Sequence, residues 1–340
     1  MQVTVTIKDV EYHFTAEPSE RLLYAGLRQG VPLAYECATG TCGTCKATCV
    51  KGRINHTWPE SPGLQERDRA LGVSLLCQST AESDCKFVGS LAPVNRASAQ
   101  AQPKYFESRI TEMTHLTVDV MLLTLSLGAL IQFEPGQFAL IGVNGIPGFR
   151  AYSMVEGLPT SRPSFIIKRK PGGAMSDWMF ERAKVGTALQ LFGPLGVATL
   201  QPTSDGDLFF LAGASGISMA FSILDAAARN GHLTRHRAEV IFGVRRASDL
   251  FLVDRLLATG ATVTLALSDE VDIETLQGRF PNAYVTSGFV HEAAALHLPP
   301  ATSETIAFLA GPPPMIDACL RHLIAKARIP PTRIRYDKFS

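Results

Sequence analysis

The sequence predicts a multidomain chain of α+β and α/β class, in which a small mixed unit, an antiparallel barrel and a parallel-sheet unit follow one another. Three observations carry this. The N-terminus alternates like a hairpin and then turns helical, the middle of the chain is short strands set between Gly and Pro, and from residue 206 strands alternate with helices. The length of 340 residues accommodates two or three domains. With 46% hydrophobic and 19% charged residues the chain can bury a sizeable core. Its net charge of +1 removes the electrostatic case for a nucleic-acid or anionic-membrane binder. Met1 to Lys8 shows no basic region followed by an apolar stretch, so no secretory signal is expected. The uncharged apolar run Leu208 to Leu224 is broken by Gly213, Ser215, Gly216, Ser218 and Ser222 and falls short of the roughly twenty apolar residues of a spanning helix. The expectation is a soluble, cytoplasmic monomer.

In the first unit, Val3–Ile7 and Glu11–Thr15 alternate as two strands. Ser19 is placed to cap a helix reaching Gln29, Gly30 to end it, and Leu23, Gly26 and Leu27 to face its core. Cysteine then becomes informative. The count is seven, odd and without an export signal, which argues against a disulfide framework. Cys37, Cys42 and Cys45 follow C-x4-C-x2-C, with Cys77 far downstream, the plant-type spacing for a [2Fe–2S] cluster. Three thiolates must then come from one loop. Gly40 and Gly43 allow it to turn, and Thr41 and Thr44 offer donors to the sulfurs. Zinc would want a second C-x2-C, which does not occur, and a Rieske centre two His beside the cysteines, which are lacking; the H-x3-H at His232–His236 lies far along the chain from them. Cys49, Cys85 and Cys319 fall outside the pattern and read as small buried hydrophobes. This ββα entry and cysteine loop resemble plant-type ferredoxin domains, which implies a β-grasp fold over residues 1–91.

Residues 92–104 carry almost no large aliphatic side chain and read as a linker. Strand-like runs follow at 116–127, 137–143, 164–168 and 188–192, a pattern that argues for a small antiparallel barrel. Two motifs within it bear chemistry. Arg150-Ala151-Tyr152-Ser153 sets an Arg for a pyrophosphate, an aromatic for a ring system and a hydroxyl for a ring nitrogen on one strand. Pro171-Gly172-Gly173-Ala174-Met175-Ser176 opens a helix from Asp177 to Arg182, whose N-terminus suits phosphate. Together with Phe192-Gly193-Pro194-Leu195-Gly196 they resemble the FAD-binding domain of the ferredoxin–NADP reductase superfamily. The resemblance implies an antiparallel six-stranded FAD-binding β-barrel over 105–203. It assigns Arg150, Ala151, Tyr152, Ser153, Ile167, Lys168, Gly172, Gly173, Met175 and Ser176 to FAD, with Ser153 near flavin N5 and Phe339 as a ring that stacks on the flavin.

Beyond residue 204, strands are expected at 208–212, 238–243, 262–267 and 305–310, with helices such as 217–229 and 315–327 between them, hence a parallel sheet. Gly213-Ala214-Ser215-Gly216 follows the first strand, where a dinucleotide phosphate sits. It is neither G-x-G-x-x-G nor a Walker loop, and no nucleophile elbow forms at Ser215. With Gly243-Val244-Arg245 and Gly311-Pro312-Pro313-Pro314-Met315 it resembles the pyridine-nucleotide half of the same superfamily. That implies NADH binding by Gly213, Ala214, Ser215, Gly216, Arg245, Gly311, Pro312 and Met315. The chain departs from the family at Ala214, where the middle glycine of a triple is common, and at Ala310, where many relatives have Cys. On nucleotide choice Arg245 and Arg246 favour a 2′-phosphate and Asp249 a free 2′-hydroxyl; relatives with this domain order mostly use NADH, and NADH is the expectation.

The order of ferredoxin, flavin and nucleotide units resembles the reductase components of bacterial multicomponent oxygenases. Tyr35–Gly40 and Trp58–Arg69 look most like the reductases that serve carbazole dioxygenases; the phthalate dioxygenase type places its ferredoxin last and uses FMN. The resemblance implies that electrons pass from NADH through FAD and the [2Fe–2S] cluster to a protein acceptor, with no acid–base residue or nucleophile required. That acceptor is a Rieske oxygenase or its ferredoxin, with a di-iron hydroxylase or a cytochrome P450 as alternatives. A redox sensor that keeps the cofactor folds without turnover is argued against by the intact Arg150, Ser153 and four cluster cysteines, and a hydrolase has no triad-like constellation behind it.

Overall fold

The computed structural model describes residues 1–89, 102–201, 203–269 and 272–338. The first unit comprises β1 (Gln2–Ile7), β2 (Val10–Thr15), α1 (Leu22–Arg28), β3 (Lys46–Lys51), β4 (Ile54–His56), α2 (Glu66–Ala70), β5 (Val73–Leu75), β6 (Ser79–Ala81) and β7 (Cys85–Gly89). Its main sheet runs β2-β1-β7-β3-β5, with β4 and β6 as a separate ribbon. Val3, Val5 and Ile7 point inward by the two-residue period of a strand and pack on Leu22, Leu23 and Leu27 of α1. The hairpin and helix stand where the alternation put them, with one correction. Ser19 does not cap α1: it lies at φ 64°, and the N-cap is Arg21, without a side-chain cap bond. Glu20 ties the turn instead, accepting from the Glu17 amide and from Arg28. Gly30 does end the helix, at φ 80°.

Of the linker expected at 92–104, residues 92–101 lie outside the described residues, and Lys104 already begins a strand. The middle unit holds β8 (Lys104–His115), β9 (Val120–Leu127), β10 (Phe138–Val143), β11 (Ile146–Ser153), β12 (Ser164–Lys168), α3 (Ala174–Glu181) and β13 (Ala188–Leu195). Six antiparallel strands run β11-β10-β13-β8-β9-β12, and a Met154–Phe165 bridge draws the two ends of that order together, so the sheet curls into a barrel. One of its strands escapes sequence reading, and another starts later than expected. β8 buries only Phe106, Ser108 and Ile110 between charged neighbours, and the run expected from Leu116 begins as a turn, where the Leu116 and Thr117 amides donate to the Val120 carbonyl. Helix α3 starts at Ala174, three residues before the expected Asp177.

The last unit alternates β14 (Leu208–Gly213), α4 (Ile217–Arg229), β15 (Ala238–Val244), α5 (Val253–Leu257), β16 (Thr262–Leu267), α6 (Ile273–Arg279), β17 (Ala283–Ser287), α7 (Val290–His297), β18 (Ile306–Gly311), α8 (Pro313–Ala325) and β19 (Ile334–Lys338). All neighbours in the order β17-β16-β15-β14-β18-β19 are parallel. Leu208, Phe210 and Ala212 enter one core and Phe209 and Leu211 the other, which is why a strand covered on both faces reads as an unbroken apolar run. The chain builds outward from β14 to β17 and then returns to its other side with β18. The crevice at this reversal, beyond Gly213 and Gly311, is where α/β sheets of this kind bind ligands.

The units share buried surface. Val120, Val155, Ile166, Ala198 and Leu200 of the barrel join the core of the parallel sheet, and Phe138, Leu140, Phe192 and Leu195 join the core of the first unit. Among the described residues no helix is long and apolar enough to cross a membrane.

Candidate functional site

The cysteine loop draws four thiols into two pairs. Cys45 Sγ lies 3.2 Å from Cys77 Sγ, while Cys37 Sγ accepts the Cys42 and Thr39 amides at 3.4 Å each and Cys42 Sγ accepts the Thr44 amide at 3.4 Å. Cys77 is brought to Cys45 because the Leu76 amide donates to the Cys45 carbonyl, seating the Leu76–Gln78 turn on the start of β3. Gly43 is required: at φ 82° a Cβ there would meet the Gly63 carbonyl oxygen at 2.8 Å. Hydrogen bonds from the Cys42 thiol, the Thr41 hydroxyl and the two amides draw the Cys37 thiol down to about 4. Cys42 is pushed up by Cys37 and by burial, and Cys77 by Cys45 and by burial. Crowded thiolates of this kind need a bound cation to coexist. Among the described residues no three His, Cys, Asp or Glu side chains surround one point as a single metal ion demands. Two facing pairs fit two irons, and the residues present fit a [2Fe–2S] cluster. Cys85 donates to the Arg53 and Ser83 carbonyls and Cys319 is fully buried, whereas Cys49 is only half-buried and donates to the Lys51 carbonyl; all three stand outside this loop.

On β11, Arg150 is exposed and its guanidinium donates to the Phe149 carbonyl at 3.0 Å. Burial pushes the Tyr152 phenol up to about 12. Ser153 is buried, and its Oγ has no hydrogen-bond partner. An orphaned buried hydroxyl is costly and calls for a partner, so Ser153 fits a bound ring nitrogen. The second flavin motif is more constrained than its sequence suggests. Gly172 lies at φ 76°, but its amide already donates to Asp177 Oδ2 at 2.9 Å, and Asp177 is held by Arg169. Ser176 Oγ closes the same turn on the Lys170 amide and carbonyl. The Ile167 and Met175 side chains sit in the barrel core, leaving only their backbone for a ligand, and Lys168 is paired with Asp119 at 2.9 Å. Phe339 lies outside the described residues.

At the third site the two glycine motifs converge. A Cβ on Gly216 would stand 2.3 Å from the Ala310 carbonyl oxygen, and one on Gly213 would stand 2.7 Å from Met315 Sδ. Only glycine lets α4 start this close to β18, which leaves the helix N-terminus facing the crevice. Ala214 takes φ 48°, so the departure from glycine costs about 1 kcal/mol of backbone strain. Asp249 is spent on its own turn, accepting the Arg246 amide at 3.1 Å. The residue missed is Asp269, just past β16, whose Oδ2 lies 3.5 Å from Arg245 and 3.6 Å from Arg246. An acid directly beyond the carboxyl end of a parallel strand was the available signal.

Two further groups join the sites. The Gly196 amide donates to Tyr35 Oη at 3.1 Å, fastening the residue two before Cys37 to the end of the Phe192–Gly196 motif. Asp337 on β19 is buried with Oδ2 unpartnered, and burial, then the Glu36 carboxylate, push its carboxyl up to about 7. An acid whose pKa is raised by folding holds its proton better in the native state. Stability is therefore full below the ordinary value of 3.8 and lost as pH rises to about 7. The melting temperature is expected to fall between pH 5 and 7.5, and Asp337→Asn to flatten that slope; an unchanged slope would refute it.

Comparison with known proteins follows this geometry. Residues 5–82 match the family described as 2Fe-2S iron-sulfur cluster binding domain, 107–199 the oxidoreductase FAD-binding domain and 210–321 the oxidoreductase NAD-binding domain. The chain is 34% identical to the ferredoxin–NAD(+) reductase component of an alkene monooxygenase system of Xanthobacter autotrophicus, over 96% of this chain and 97% of that one. It is 32% identical to the ferredoxin–NAD(P)(+) reductase CarAd of Metapseudomonas resinovorans, over 96% of each. The solved ferredoxin reductase in carbazole 1,9a-dioxygenase superposes with TM-score 0.84 at 30% identity, covering 100% of this chain and 99% of that one. A cytochrome P450 reductase from Amycolatopsis reaches 0.79 at 28% identity, covering 99% and 98%.

Proposed function

Since the chain belongs to the ferredoxin–NAD(P)(+) reductase components of oxygenase systems, we propose that it carries electrons from NADH, by way of FAD and a [2Fe–2S] cluster, to an oxygenase component or its ferredoxin. One observation carries this reading: the thiol pairs and the nucleotide crevice lie on opposite units, and the barrel with the Ser153 hydroxyl is packed against both. In this reading residues 1–91 hold the cluster, 105–203 the flavin and 204–340 the nucleotide, with 92–104 between them. When bound, FAD supplies the conversion of a two-electron donor into single electrons, and the cluster supplies a one-electron store.

The chain's own residues do the holding. Cys37 with Cys42, and Cys45 with Cys77, would grip one iron each. Arg150, free of any carboxylate among the described residues, would take the FAD pyrophosphate in bidentate fashion. Tyr152 would cover the ring, Ser153 would donate to it, and the start of α3 would lie along the phosphates. Gly213, Ala214, Ser215, Gly216, Gly311, Pro312 and Met315 would line the nicotinamide nucleotide. All three sites are complete within one chain, which supports a monomer. The absence of a membrane-length helix among the described residues and the near-neutral charge support a cytoplasmic setting.

NADH over NADPH is favoured by Asp269, whose carboxylate faces both Arg245 and Arg246 and would repel a 2′-phosphate. Steady-state turnover with each nucleotide tests function and choice together. NADH should support cytochrome c reduction with the higher kcat/KM, and Asp269→Asn should raise NADPH use a few-fold, the scale of an exposed charge contact. A protein that reduces nothing with either nucleotide would overturn the reading; an NADPH preference abolished by Arg246→Ala would overturn the choice.

A further inference from the structure

Tyr24 belongs to the core of the first unit, 1% exposed, yet its contacts reach in two directions. Its hydroxyl donates to the Ala38 carbonyl at 3.0 Å. Ala38 follows Cys37 and holds a left-handed φ of 55°, a conformation that needs such a tether. Helix α1, which carries Tyr24, packs on the Leu76–Gln78 turn that carries Cys77. On its other side the ring leaves its own unit. It stacks on Phe192 at 4.9 Å and 28°, and meets Phe149 edge-on at 5.7 Å and 86°. Phe149 immediately precedes Arg150 on β11, and Tyr105 packs on Phe192 at 4.7 Å from below. Tyr24, Cys45, Cys77 and Phe192 lie in one continuous buried cluster, joined at its border by Phe149 and Ala151.

Resting on the cluster and flavin assignments above, we propose that Tyr24 is the coupling residue between the two redox centres: it fixes the cysteine loop against the strand that carries the flavin residues and supplies the packed aromatic bridge over which an electron crosses. In that step the flavin loses one electron and the cluster gains one. No bond forms or breaks at Tyr24, and its hydroxyl keeps its proton, burial having raised it well above the ordinary range. The physical reason is that electron tunnelling decays more slowly through close-packed bonded and stacked atoms than across a gap. Positioning error of a fraction of an ångström at the loop is amplified in the rate.

The test uses the loaded protein in three variants. Tyr24→Leu keeps an apolar side chain, of smaller volume, and removes the ring; Tyr24→Phe keeps the ring and removes the bond to Ala38. Stopped-flow absorbance separates flavin reduction by NADH from cluster reduction. In Tyr24→Leu the flavin step and ferricyanide reduction should hold, while transfer to the cluster slows about tenfold or more; Tyr24→Phe, which keeps the ring but frees Ala38, should slow it less. Amide hydrogen exchange gives a readout independent of turnover: in Tyr24→Leu it should quicken in the cysteine loop, β10 and β13 and stay unchanged in β14–β16. Parent-like cluster reduction in Tyr24→Leu overturns the proposal. Should that variant fail to load its cluster, Phe149→Leu approaches the same contact from the barrel and touches no cysteine. Slowed transfer there supports the proposal, and parent-like transfer overturns it. Failure of NADH to reduce the flavin in the unaltered protein would instead sink the functional reading itself.

Discussion

Cys77→Ser is expected to abolish cytochrome c reduction while NADH-dependent ferricyanide reduction survives. Cys77 is fully buried and sits 3.2 Å from Cys45, so it supplies half of one thiol pair. A serine hydroxyl is a poor substitute for a soft thiolate on iron. The parent protein should contain about two irons and two acid-labile sulfides per chain, and the variant far fewer. Flavin reduction is spared because Arg150, Ser153 and the Gly213–Gly216 turn lie on other sheets. Iron and sulfide analysis with the two acceptor assays decides it. Equal loss with both acceptors would mean that electrons do not run in series, and one zinc per chain in the parent would mean that the thiols serve another metal.

The second large effect is expected at Ser153. Its Oγ is buried without a partner in the protein alone, so Ser153→Ala removes an unsatisfied hydroxyl. Stability of the flavin-free protein should hold or rise by about 1 kcal/mol. If the hydroxyl is there to donate to the flavin, the rate of flavin reduction by NADH should fall on the order of 10²-fold, the cost of one preorganised donor. The two readouts oppose each other by design. A serine that merely packs the barrel would show the reverse: lower stability and an unchanged rate, measured by urea unfolding and by stopped flow.

Much of this was legible because its causes are local. C-x4-C-x2-C with the two glycines dictates a loop that turns its sulfurs inward, whatever the rest of the chain does. The alternation of Val3–Ile7 sets a strand face, and Leu208 to Gly216 reads as strand, turn and helix. Helix α4 was expected and found at 217–229. Where sequence reasoning failed, a local signal was outvoted or lacking. Ser19 has the chemistry of a cap, but the Glu20–Arg28 pair sets the turn instead. β8 escaped because most of its residues face solvent and four of those carry charge, and β19 because five residues give no period to read.

The sequence by itself determined the motifs this protein carries: four cysteines in a plant-type spacing, an Arg–Tyr–Ser run on one strand, and glycine turns after parallel strands. The tertiary structure alone decided how they are paired and joined. Cys45 meets Cys77 across 32 positions, Tyr24 meets Phe192 across a domain border, and Asp269 reaches both Arg245 and Arg246 from the neighbouring strand. The same is true of the reversal of roles at Asp177, which fills an amide that the motif alone would have left for phosphate. Each of these depends on which surfaces bury one another. Burial is a property of the whole folded chain, and no spacing along the sequence encodes it.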